Sequence, residues 1–450
     1  MSEGSLEAPT RHPIDWTDPD FVNAEKLDAE MRRIFDICHV CRRCFNLCDS
    51  FPRLFELIDN SKTGEVDSVK SEDFDHVVDA CTLCDMCFMT KCPYVPPHEF
   101  NVDFPHLMLR HKAVEFAQGN TPITEQELKK VDRNAKIAGT VAPITNWATK
   151  TSNTLTRSLM EKTIGIHHQA VIPKFHGKTF LMQTQDNPPK VNCNAPAYGK
   201  KAVIYATCFA NYNNPNLGIA ARSVLTHNGV ETEVIYPSCC GMPQLEHGDL
   251  KKVASNAKVV AKELRPWIDQ GYVVIALVPS CSLMLKSEWP LIVDDDDNVK
   301  VLSTSTYDIS QYIVSLSKDP GLVEGLAPLD EGVTLHLACH ARAQNMGQKA
   351  AELLRLIPNI HVDVIERCSG HGGAWGMMKN NFETALKVGK PVARQALKAH
   401  NRLVLSECPL AADHIVQGMQ ILDPETTASV ISQHPIEILA YAYGLMEKNL

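Results

Sequence analysis

Sixteen cysteines in a chain of 450 residues hold most of its chemistry, and their spacing is not random. Cys38, Cys41, Cys44 and Cys48 follow the pattern C-x2-C-x2-C-x3-C; Cys81, Cys84, Cys87 and Cys92 follow C-x2-C-x2-C-x4-C, with Pro93 directly after. Three thiolates at such intervals wrap one iron–sulfur cube, and the fourth cysteine of each run supplies the last corner of the other cube. The spacing therefore predicts two [4Fe-4S] clusters. One takes Cys38, Cys41, Cys44 and Cys92, and the other Cys81, Cys84, Cys87 and Cys48. Four thiolates would also suit zinc, but zinc sites use paired C-x2-C knuckles apart from one another. Structural thiols are the plain alternative.

The remaining cysteines are spread singly or in one pair, and they repeat. Cys208, Cys239-Cys240-Gly241 and Cys281 are followed by Cys339, Cys368-Ser369-Gly370 and Cys408. The offsets 339 − 208, 368 − 239 and 408 − 281 are 131, 129 and 127 residues, the small drift expected of a duplicated domain with altered loop lengths. Copy one keeps four thiols, Cys208, Cys239, Cys240 and Cys281, enough for a third [4Fe-4S]-type cluster. Copy two keeps three, with His340 and His371 beside them as candidate nitrogen ligands. Cys193 stands alone and reads as an idle thiol.

The elements that must position these residues differ along the chain. The 32 residues between Cys48 and Cys81 contain Phe51–Ile58 and Ser71–Val78, both of helical pattern, so the first block reads as a helical ferredoxin module. From residue 199 onward, apolar strand candidates alternate with helical stretches, the pattern of α/β units with parallel sheets. The candidates are Ala202–Ala206, Tyr272–Val278, Val333–Ala338 and Leu403–Leu405, each followed closely by a cysteine. Ligands of parallel sheets are held at the carboxyl ends of strands. The expected fold is thus α+β and multidomain: a tail at 1–30, the ferredoxin module at 31–120, a linker at 121–198, and two α/β copies at 199–325 and 326–450.

Composition bounds the function. With 44% hydrophobic and 22% charged residues the chain is globular, and a net charge of −9 is opposite to the footprint of a nucleic-acid binder. The polar, acidic start Met1–Phe21 has no secretory h-region, and the longest apolar run, Tyr272–Leu285, is too short to span a bilayer. A cytoplasmic location is expected, where clustered cysteines hold metals more often than disulfides. In the linker, Asn146–Gly165 reads as a basic amphipathic helix with Trp147, Leu155, Leu159 and Met160 on its apolar positions. Such a helix packs between domains or rests on a membrane surface. His336 lies on a strand as a core residue, His371-Gly372-Gly373 lacks the lysine of a P-loop, and Asp294–Asp297 reads as a solvated acidic loop.

The doubled pattern with Cys239-Cys240-Gly241-Met242-Pro243 resembles the Cys-Cys-Gly domain of heterodisulfide reductase catalytic subunits. From about residue 30 onward, Ile164–Phe175, Cys208–Gly218 and Pro279–Pro290 make the chain similar to the family of C subunits of anaerobic glycerol-3-phosphate dehydrogenases. That resemblance implies an electron-transfer subunit serving a flavin dehydrogenase or other redox protein and passing electrons to a quinone or protein acceptor. It also implies peripheral contact with the cytoplasmic face of the inner membrane. The alternatives are a heterodisulfide- or thiol-reductase catalytic chain and a redox-sensing or structural iron–sulfur protein. Three positions depart from the family pattern: Met284 and Ala411 replace the last cysteine of each copy, and Ser369 replaces the second cysteine of the second pair. Copy two accordingly reads as degenerate, and no residue pattern for flavin or organic-substrate binding is present.

Overall fold

Short runs rich in β-branched residues, separated by long helical stretches, can pair only in parallel, because each return to the sheet needs a crossover. The computed structural model, which describes residues 3–186 and 188–447, contains two such sheets. β1 (Lys201–Tyr205), β2 (Glu231–Ile235), β3 (Val273–Ala276) and β4 (Thr306–Asp308) form one in the order β2-β1-β3-β4. β5 (Gly332–His336), β6 (His361–Ile365), β7 (Leu403–Ser406) and β8 (Ile431–Gln433) form the other in the equivalent order β6-β5-β7-β8. All pairings are parallel, and the registers correspond: Ala202 lies opposite Val273 as Val333 lies opposite Leu403.

The chain divides into two units. The first holds the residues up to Lys129 with Gly241–Ser255 and Leu291–Asp294, and the second holds the rest, including both sheets and the segment 130–198. In the second unit, helix Pro215–His227 of copy one packs against helix Pro435–Ala442 of copy two. Helix Lys349–Leu354 of copy two packs in the same way against helix Ile309–Lys318 of copy one. These reciprocal pairs are the mark of a pseudo-twofold between the copies.

The first unit is built on helices Ala24–Cys41, Ser50–Asp59 and Phe104–Gln118 around an aromatic core. Phe35 meets Phe74 edge-on at 5.1 Å, and Phe51 meets Phe104 at 4.6 Å. Burial of one such ring is worth about 2–3 kcal/mol. Residues expected as a tail are bonded to this unit: Ser5 N donates to Pro93 O at 2.8 Å, Thr10 N to Pro96 O at 3.0 Å, and Arg11 spans Asp85 and Asp103.

One expected element is different. Asn146–Gly165 is not a single helix but parts of two, Ala142–Thr149 and Thr154–Ile164. Asn153 leaves the helical conformation and its side chain accepts from Thr156 N, while Thr156 Oγ1 donates to Ala148 O at 2.6 Å. The polar run Lys150-Thr151-Ser152-Asn153 offers the backbone a cap in place of continued helix.

Candidate metal centres

In the first unit the two cysteine runs lie where helices end. Helix Ala24–Cys41 carries Cys38 and Cys41 and stops at Arg42, whose left-handed φ of 51° directs its N–H to Cys38 O at 2.8 Å. Leu83 and Asp85, with φ of 49° and 62°, bend the chain on either side of Cys84. This is a conformation side chains adopt only when something fixes it. The Arg11 guanidinium, held to Asp85 by two bonds of 2.8 and 2.9 Å, is the fixing group there. Lys112 Nζ donates to Cys81 O at 2.8 Å, and Cys92 N to Cys87 O at 2.8 Å.

The thiols then sort themselves by mutual influence. Burial, and after it the nearby Cys92, Cys44 and Cys41, push Cys38 well above the ordinary thiol range. Burial, then Cys92 and Cys41, take Cys44 to about 12, and burial chiefly takes Cys92 to about 11. Cys87 is raised by burial and then by Cys84, Cys81, Cys48 and Cys44. Thus Cys38, Cys41, Cys44 and Cys92 are neighbours, as are Cys81, Cys84, Cys87 and Cys48, and Cys44 also stands near Cys87. Thiols that raise one another in this way give up their protons to a strongly bound cation, so the donor chemistry fits iron–sulfur cores.

In the second unit every cysteine of the repeat lies beyond the carboxyl end of a strand. Cys208 follows β1, Cys239 and Cys240 follow β2, and Cys281 follows β3; Cys339, Cys368 and Cys408 follow β5, β6 and β7. The four thiols of copy one converge. Cys208 Sγ lies 3.9 Å from Cys239 Sγ, and Cys240 interacts with both Cys239 and Cys281. The Cys208 thiol is raised first by that contact with Cys239 and then by burial. Asp132 accepts from Cys239 N at 3.0 Å and from the Tyr236 hydroxyl, Asn256 Nδ2 donates to Cys239 O at 3.1 Å, and Trp289 Nε1 donates to Cys240 O at 3.0 Å. Thr207, before Cys208, is fully buried at a φ of 48°, a strained conformation of the kind that clusters at functional sites. Met284, in the place of a fifth cysteine, is also fully buried and opens a π-helical turn, Met284–Glu288. Asp132 belongs to no local motif and precedes Cys239 by 107 residues.

Copy two is arranged otherwise. Ala338, before Cys339, has a relaxed φ of −63°. Cys368 is exposed and accepts from Gly370 N at 3.4 Å, while Cys408, raised to about 11 chiefly by burial, has the carboxyl groups of Asp413 and Glu407 nearby. The two histidines considered as ligands have other polar and aromatic neighbours. His340 Nδ1 lies 2.8 Å from Ser280 Oγ of copy one. His371 faces His414 at 5.9 Å between ring centres, beside Phe382, Leu410 and Asp413. His336 is a core residue, bonded at both nitrogens to Ser406 Oγ and Arg367 O. Cys193 is exposed.

Residues 31–118 match the Fer4-like domain of citrate utilization protein B, and residues 202–286 and 333–410 each match the Cys-Cys-Gly cysteine-rich domain. The chain is therefore an iron–sulfur protein with one ferredoxin-like domain and two Cys-Cys-Gly domains, related to the heterodisulfide reductases. It is similar to the C subunit of anaerobic glycerol-3-phosphate dehydrogenase from Escherichia coli (strain K12), 27% identical over 70% of this chain and 76% of that one. It is also similar to the B subunit of fumarate reductase (CoM/CoB) from Methanothermobacter marburgensis, 26% identical over 60% of this chain and 50% of the relative. A third relative is the D subunit of dihydromethanophenazine:CoB–CoM heterodisulfide reductase from Methanosarcina barkeri, 23% identical over 64% and 71%.

Proposed function

We propose that this chain is the iron–sulfur electron-transfer subunit of an oxidoreductase complex. It works between a partner dehydrogenase of the flavin type, such as a glycerol-3-phosphate dehydrogenase, and a quinone or protein acceptor. The observation that carries the reading is the sorting of eight thiols into two sets of four, with Cys44 of one set close enough to Cys87 of the other to raise it. [4Fe-4S] clusters held on those sets would supply one-electron exchange. The chain's own residues do the rest. Phe35, Phe51, Phe74 and Phe104 form the dry wall of the module. Lys112 adds a positive charge beside Cys81, and Arg11 holds the bend that aims Cys84.

Copy one would hold a third cluster on Cys208, Cys239, Cys240 and Cys281, with Asp132 and Trp289 fixing the backbone of the cysteine pair. A thiol-reductase reading fits less well. Cys239, Cys240 and Cys281 are 2%, 2% and 5% exposed, which leaves their thiols little access to a disulfide substrate.

For location, no helix among the described residues is long and apolar enough to cross a membrane. Helices Val131–Thr140, Ala142–Thr149 and Thr154–Ile164 nonetheless expose Ile137, Ile144, Trp147, Leu155 and Leu159, with Trp147 at 58% and Leu155 at 84%. Together with Lys136, Lys150 and Lys162, these residues suit a peripheral seat on an anionic bilayer of the cytoplasmic face.

The deciding experiment is iron and acid-labile sulfide per chain, with EPR of the dithionite-reduced protein prepared without oxygen. About twelve irons support all three centres, about eight restrict them to the ferredoxin module, and zinc without sulfide overturns the reading.

A further inference from the structure

At the end of helix Thr154–Ile164 three donor groups meet that the cysteine chemistry does not use. Gly165, with a φ of 75°, turns the chain so that His167 and His168 come back over Glu161 of the last helical turn. Glu161 Oε2 lies 3.0 Å from His168 Nδ1, and Glu161 Oε1 lies 4.0 Å from His167 Nε2. One donor atom from each residue falls within 4.8 Å of the other two. A tetrahedral zinc ion with bonds of about 2.0–2.2 Å spaces its ligands about 3.3 Å apart, so small side-chain rotations close the set.

The arrangement is rigid. Arg157, fully buried, spends its guanidinium on three backbone carbonyls of the returning loop: His167 O at 2.7 Å, His168 O at 3.0 Å and Ala170 O at 2.6 Å. The His167 ring stacks on Phe382 at 4.1 Å and 14°. Glu161 stands near the negative end of its helix, where a carboxylate is disfavoured unless a cation joins it. Its ion-pair partners among the described residues are the two histidines. Arg157 contributes one positive charge nearby, against the negative charges of Glu161 and Glu383. The His168 side chain is 47% exposed, which leaves an entry path and room for a water as fourth ligand.

We propose that Glu161, His167 and His168 form a divalent-cation site of zinc type, separate from every cysteine of the chain. Two imidazoles and one carboxylate are a borderline donor set, suited to zinc or its first-row neighbours and poorly suited to magnesium or calcium. The bound ion joins the helix end to the loop that packs on Phe382. The site shares no ligand with the iron–sulfur centres, so its failure would leave the electron-transfer reading untouched.

The test uses the full chain, purified anaerobically with its iron complement, incubated with zinc chloride and desalted, with zinc and iron measured together. The wild type is expected to retain about one zinc per chain, and Glu161→Gln and His168→Ala each to retain less than about a tenth of that at unchanged iron. Cys193→Ser, which removes an exposed thiol, should keep the zinc. Wild-type protein without zinc would overturn the site, and so would zinc retained by both Glu161→Gln and His168→Ala. The unchanged iron content of the variants is the check that they are folded.

Discussion

The carboxylate of Asp132 accepts the backbone N–H of Cys239 at 3.0 Å and lies close enough to raise the neighbouring thiols. A negative charge beside a cluster opposes its reduction. Asp132→Asn keeps an acceptor for the N–H and removes the charge, so a copy-one cluster should become easier to reduce. At an effective dielectric of about 20 the change is on the order of 1 kcal/mol, or roughly 40 mV for a one-electron couple. A redox titration followed by EPR reads it; an unchanged or lowered potential would remove Asp132 from this role.

In the ferredoxin module, Cys84→Ser should remove about four irons and one EPR signal, because Cys84 is assigned with Cys81, Cys87 and Cys48 to a single cluster and influences Cys87. Cys193→Ser should change neither iron nor spectrum, the thiol being exposed and far in sequence from any run. Iron loss from Cys193→Ser would show that the ligand assignment is wrong.

Copy two gives the contrasting case. Cys368 is exposed and Ser369 has replaced its partner, so Cys368→Ser should leave the iron count as it is, whereas Cys240→Ser should lower it by about four. Equal losses in both variants would mean that the second copy also holds a cluster.

The pH dependence of stability has a local test at His434. This residue caps the last helix, with its Nδ1 accepting from Ile436 N at 3.1 Å and its N–H donating to Glu437 Oε2 at 2.8 Å. Burial depresses it to about 3. The folded form therefore carries it neutral while the unfolded chain takes up a proton below about 6.5. Its stabilising contribution is complete above that pH and is lost as pH falls toward the folded value, at about 1.4 kcal/mol per pH unit. His434→Asn, an equally good cap without a titrating ring, should flatten the acid side of the melting profile by about one proton. A profile of unchanged slope would contradict this.

The exposed patch around Trp147 should determine binding to anionic vesicles. Leu155→Asp with Leu159→Asp lies on exposed positions and should leave melting temperature and iron content intact. The vesicle-bound fraction in flotation should fall by about tenfold or more. Undiminished flotation would dismiss this surface as the membrane seat.

Much of this was legible in the sequence because its signals are local. The C-x2-C-x2-C runs carry their chemistry in their spacing, and the 131-residue offset between Cys208 and Cys339 announces two equivalent sheets. β1, β3, β5 and β7 are visible because they lie at the sheet centres and are almost wholly buried, with mainly apolar residues. β2, β4, β6 and β8 are flanking strands in which Glu231, Glu233, Asp308, Asp363, Ser432 and Gln433 break the apolar run. The cap at Asn153 was overlooked because the apolar positions on both sides of it keep a helical spacing. Asp132 and Asn256 reach the copy-one cysteines only through the tertiary fold, and Trp289, although it lies within Pro279–Pro290, shows its bond to Cys240 only there.

The reciprocal packing of helices across the pseudo-twofold has a consequence for how such a chain can change. Helix Pro215–His227, buried on most of its sides, is covered in part by a helix of the opposite copy. A duplicated half that gives up cysteines loses only its own capacity for metal, whereas a deleted half would strip the wall from its twin. The strands and helices of the second copy are therefore tied to the first by packing, whatever its thiols hold, and positions such as Ser369 and Ala411 are free of that constraint.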